Sequence, residues 1–72
     1  MTLDEFVSAF AAELDETPED QFKADTEFKA LEEWSSLTAL SIIAMIDEQM
    51  DKTVTGADIR ASKTIEDLYN LA

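Results

Sequence analysis

Trp34-Ser35-Ser36-Leu37-Thr38-Ala39-Leu40-Ser41-Ile42-Ile43-Ala44-Met45-Ile46-Asp47-Glu48-Gln49-Met50 is the stretch that decides the fold. Two serines stand directly before an apolar run, which is the signature of a helix start. The spacing predicts a helix from Ser35 or Ser36 to about Met50, roughly 22 Å long at 1.5 Å per residue. Ala39, Ile42, Ile43, Ile46 and Met50 fall at offsets 0, 3, 4, 7 and 11 and form its expected core stripe. Leu37, Ser41, Ala44, Met45 and Glu48 lie nearer the opposite side.

Upstream, Thr2 followed by Glu5 is a capping box that opens a first helix. Leu3, Phe6, Val7, Phe10, Ala11 and Leu14 then make one apolar stripe. From Glu16 to Ser35 the periodicity fails, and large apolar residues stand apart among charges: Phe22, Phe28, Leu31 and Trp34. These read as an ordered connection whose side chains plug into the helices, with a short helical turn at Thr17-Pro18-Glu19-Asp20 and Pro18 in its first position. Trp34 reads as an anchor of that loop on the core.

Downstream, Val54-Thr55-Gly56-Ala57-Asp58-Ile59 reads as a short helix capped by Thr55, since the chain offers no strand for it to pair with. Thr64 with Asp67 repeats the capping pattern before Ile65, Leu68, Tyr69 and Leu71. The expectation is an all-α fold over residues 1–72: a single small domain, three longer helices and a short third one around one core, with a long ordered loop between the first two helices.

Seventeen acids against five bases leave a formal charge of −12. That balance argues against nucleic acid and anionic membranes as partners, and for proteins with a basic patch. A hydrophobic fraction of 46% is too high for a disordered acidic tail. There is no cysteine and no histidine, so the usual Ser-His and Cys-His nucleophilic arrangements cannot be built here. A serine that matters must be acted on by something else. The N-terminus is acidic where a signal peptide is basic, and the apolar run Ala39–Ile46 is too short to span a bilayer. A cytoplasmic monomer without membrane insertion is expected.

The mouth of the second helix is the chemically informative point. Helix N-termini carry unpaired N–H groups and partial positive charge, which favours a phosphate. Both serines there also read as ordinary caps.

Ser35-Ser36-Leu37, preceded by Glu32-Glu33-Trp34 and followed by Thr38 to Glu48, resembles the Asp-Ser-Leu signature and second helix of acyl carrier proteins. The likeness extends over essentially the whole chain. It implies that a phosphopantetheinyl transferase attaches 4′-phosphopantetheine, drawn from coenzyme A, to Ser36. The thiol of that arm would carry acyl groups as thioesters, so the chain itself would be a non-catalytic carrier of fatty-acid, polyketide or specialised lipid intermediates. The cofactor supplies the sulfur that the sequence lacks. The resemblance further implies a surface for basic docking patches made of Leu37, Ser41, Ala44, Met45, Asp47 and Glu48, and an acyl-sheltering cavity lined by Phe28, Ile46 and Ile59. One departure stands out: Ser35 occupies the place of the family's aspartate, and Thr38 and Ser41 are neutral where acids are common. Altered electrostatic docking is the expected consequence.

Two other functions compete. An unmodified acidic adaptor, in effect a degenerate carrier, would bind a basic partner without any arm. A small calcium sensor is suggested by Asp51-Lys52-Thr53-Val54-Thr55-Gly56, which mimics the start of an EF-hand loop. Its twelfth place is Ser62 rather than the bidentate glutamate, so the segment reads as a linker and no metal site is expected.

Overall fold

The computed structural model describes residues 1–72. Four α-helices follow one another: α1 Leu3–Ala12, α2 Ser36–Met50, α3 Gly56–Ala61 and α4 Ile65–Leu71. There are no strands. At seven residues α4 is one residue longer than α3. No helix is long and apolar enough to cross a membrane.

Three capping boxes set the starts of α1, α3 and α4. Thr2 Oγ1 accepts the Glu5 N–H while Glu5 Oε1 accepts the Thr2 N–H at 2.8 Å. Thr55 with Asp58, and Thr64 with Asp67, do the same. Each box satisfies two backbone donors that a helix start leaves orphaned. The Thr2 N–H holds the Glu5 carboxyl below its ordinary range, and the N–H groups of Thr64 and Lys63 hold Asp67 down in the same way.

The core is one cluster of thirteen buried side chains, and Phe10 of α1 sits at its aromatic centre. Its ring centroid lies 5.4 Å from Phe28, 6.1 Å from Trp34, 6.2 Å from Phe22 and 6.3 Å from Phe6. Three of those four rings come from the connection between α1 and α2, which is how a segment without helical periodicity stays ordered. Its backbone is secured as well. The Ile65 and Glu66 N–H groups, at the start of α4, donate to the carbonyls of Thr26 and Ala24.

Within that connection two single 3₁₀ turns form, at Glu19–Gln21 and Phe28–Ala30. Pro18 precedes the first turn with an extended ψ of 136° instead of occupying its first position. The second turn seats Phe28 in the core and leaves Lys29 exposed.

Along α2 the buried side chains are Ile42, Met45 and Ile46, with Ala39, Ile43 and Met50 half-buried. The core face is therefore turned toward Met45 relative to the sequence expectation. Apolar residues occur all round this helix, so periodicity alone does not say which arc faces inward. Asp51 ends α2 in the left-handed region, with φ 53° and ψ 41°. The EF-hand-like register continues as helix from Gly56. Its twelfth residue, Ser62, is buried and donates its hydroxyl to the Asp58 carbonyl at 2.9 Å.

Candidate functional site: the mouth of helix α2

Ser35 and Ser36 sit side by side in sequence but do different things. Ser35 is the N-cap, with extended backbone at φ −153° and ψ 177°. Its Oγ accepts the Thr38 N–H at 3.3 Å, and its carbonyl accepts the Ala39 N–H at 2.9 Å. Ser36 is the first helical residue and is exposed, and its hydroxyl has no partner in the protein. The N–H groups of Ser36 and Leu37, which have no carbonyl a turn earlier in the helix, are unpaired at the same end.

This start is held by Glu33. Thr38 Oγ1 donates to the Glu33 carbonyl at 3.0 Å, tying the first turn of α2 to the preceding loop. The Glu33 carboxylate reaches the loop's other end, accepting the Thr17 hydroxyl at 2.7 Å and the Glu16 N–H at 3.1 Å. One residue thus joins both ends of the connection and fixes where α2 begins.

Beside Ser36 opens a cleft of about 330 Å³ lined by Lys29, Trp34, Ser35, Ser36, Ala39, Gly56, Ile59 and Arg60. None of those residues is acidic, although acids outnumber bases seventeen to five in the chain. Lys29 Nζ donates to the Arg60 carbonyl at 2.8 Å, and the Arg60 guanidinium lies over Gly56, where an added Cβ would stand 3.3 Å from Nη1. A free hydroxyl, unpaired N–H groups and a cationic lining fit a serine-linked phosphodiester.

The other expected site residues divide. Leu37, Ala44, Asp47 and Glu48 are exposed on α2 and Ser41 is half-exposed. Met45 is only 3% exposed and belongs to the core, so it does not share that face; the rotation of α2 carries it inward. Leu40, absent from the sequence expectation, is 62% exposed and joins Leu37 at 76%. Three residues after Leu37 and four before Ala44, it shares their arc of the helix.

The expected cavity between Phe28, Ile46 and Ile59 is not open. Phe28 and Ile46 are completely buried and line none of the three clefts, because the Phe10 and Trp34 rings pack against Phe28 and fill that space. Ile59 alone reaches the cleft beside Ser36.

The scaffold is small and all-helical, and it presents one unengaged serine at a helix mouth. Comparison with protein families found that the family described as "Phosphopantetheine attachment site" matches residues 4–72. The chain belongs to that family, in keeping with its resemblance to acyl carrier proteins. The prosthetic group of the family is covalently attached 4′-phosphopantetheine. Comparisons with curated proteins and with solved structures found no match.

Proposed function

We propose that Ser36 Oγ is the attachment point of the 4′-phosphopantetheine arm, and that the protein carries acyl intermediates between enzymes of a fatty-acid, polyketide or specialised lipid pathway. The observation that carries the assignment is the contrast between two neighbours. The Ser35 hydroxyl is committed to capping α2, whereas the Ser36 hydroxyl is exposed and unengaged. When bound, the arm supplies a thiol on which acyl groups ride as thioesters.

The chain's own part is to offer an oxygen nucleophile and a place for the resulting anion. On loading, Ser36 Oγ bonds to phosphorus and the phosphoanhydride of coenzyme A breaks, releasing the adenosine bisphosphate portion. The chain has no histidine and no carboxylate lines the cleft beside Ser36, so the base that takes the serine proton is assigned to the transferase. The unpaired N–H groups of Ser36 and Leu37, at the positive end of the helix dipole, would favour the charge of the new phosphodiester.

Partner enzymes would dock on the exposed face of α2. Leu37, Leu40 and Ala44 provide apolar contact there, and Asp47 and Glu48 attract a basic patch. This same face supports a second reading, an arm-free acidic adaptor, because two exposed leucines with Asp47 and Glu48 farther along the helix suit a protein partner without any modification.

Incubation with coenzyme A and a broad-specificity transferase, followed by intact-protein mass spectrometry, separates the two. A carrier gains the mass of one arm and Ser36→Ala gains none. Wild-type protein that stays at its starting mass contradicts the carrier reading and leaves the adaptor.

A further inference from the structure

The chain places two of its five basic residues at one small cleft and no acid in its lining. In a protein of charge −12, most of the surface repels an anion. A phosphodiester on Ser36 would be pushed toward solvent everywhere except at this cleft. The two cations are also held in place. Lys29 is carried on a 3₁₀ turn anchored by the completely buried Phe28, and its Nζ is bonded to the Arg60 carbonyl. The Arg60 guanidinium folds back along α3 over Gly56, the one glycine of the chain, whose missing side chain leaves it room. The Asp58 carboxylate is turned to the start of α3, where it accepts the Thr55 N–H at 2.9 Å.

We propose that Lys29 and Arg60 form a cationic seat for the phosphodiester of the arm on Ser36, holding the base of the arm in the cleft against α3. This rests on Ser36 being the attachment site. Lys29 and Arg60 are positioning residues: they restrain the arm and take no part in acyl chemistry. The Trp34 and Ile59 side chains, which line the same cleft, give the first atoms beyond the phosphate an apolar wall. The arm therefore leaves the protein along the α2–α3 side instead of swinging freely.

Phosphorus relaxation of the loaded protein tests this directly. Wild type, Arg60→Gln and the double variant Lys29→Gln/Arg60→Gln are loaded from coenzyme A, and each mass gain is confirmed before measurement. In wild type at about 0.1 M salt the phosphodiester follows the tumbling of the protein. At about 1 M, where the screening length shrinks to about 3 Å, its transverse relaxation rate falls about twofold. The double variant shows the low rate already at low salt. Arg60→Gln keeps the carbonyl that accepts the Lys29 bond, so it preserves that cross-link and gives an intermediate rate. A wild-type rate that is insensitive to salt and equal to that of either variant overturns the seat while leaving attachment at Ser36 intact. Absence of any mass gain overturns both.

Discussion

Lys29 Nζ donates a hydrogen bond to the carbonyl oxygen of Arg60, 2.8 Å away and thirty-one residues on in the chain. The bond fastens the end of the long connection to the last turn of α3, and so sets the width of the cleft beside Ser36. Lys29→Met removes the donor and keeps most of the aliphatic stem. A loss of about 0.5–1.5 kcal/mol is expected, because the bond is solvent-exposed and water competes for both partners. Urea unfolding should show a lower midpoint with an unchanged slope.

Phe10 contacts four other aromatic rings and is completely buried. Phe10→Ala is expected to cost about 3–5 kcal/mol, through lost burial and the cavity left behind. Small domains have only about 5 kcal/mol or a little more to lose. The variant should have lost most of its cooperative thermal transition by circular dichroism at 222 nm, the wavelength that reports helix.

How much of this was legible depends on the range of the interaction. The caps at Thr2, Thr55 and Thr64 could be read because donor and acceptor are three residues apart. The α1 stripe could be read because its other face is charged. Along α2, apolar residues surround the helix, so periodicity does not separate the buried Met45 from the exposed Leu40. The 3₁₀ turns are three residues each, too short to show a period. Lys29 with Arg60 and Glu33 with Thr17 are brought together only by tertiary packing, and local spacing carries no sign of them. No cleft is open between Phe28, Ile46 and Ile59, because the Phe10 and Trp34 rings pack against Phe28, a contact that local spacing does not show.

Glu33 joins both ends of the connection. Its carboxylate accepts from Glu16 and Thr17, while its carbonyl accepts from Thr38. Glu33→Ala leaves the first two donors to water and should cost about 1–2 kcal/mol. Hydrogen exchange at the Glu16 amide is expected to accelerate well beyond that at core amides of α1. Equal acceleration throughout would mean that Glu33 merely adds to global stability.

Glu5 and Asp67 have carboxyls held below their ordinary range by capping N–H groups. For a lowered folded-state pKa, the stabilisation is complete above the unfolded value and is lost as pH falls through the folded one. Both caps therefore weaken on acidification below about pH 4. The double variant Glu5→Gln/Asp67→Asn isolates the cap contribution. The gap in urea midpoint by which wild type exceeds it should hold above about pH 4 and narrow progressively as pH falls below that. A gap that stays constant with pH would mean that the caps act without their charge.

Asp51 closes α2 in the left-handed region, which β-branched side chains resist. Asp51→Val should cost about 1–2 kcal/mol, measured as a lowered urea midpoint.

The sharpest test concerns two adjacent oxygens. Wild-type protein loaded from coenzyme A is digested, and the modified peptide is fragmented between residues 35 and 36. The phosphodiester is expected entirely on Ser36, and Ser35→Ala should still accept the arm. An arm found on Ser35, or loading that survives Ser36→Ala, would contradict the assignment of a capping hydroxyl beside a free one.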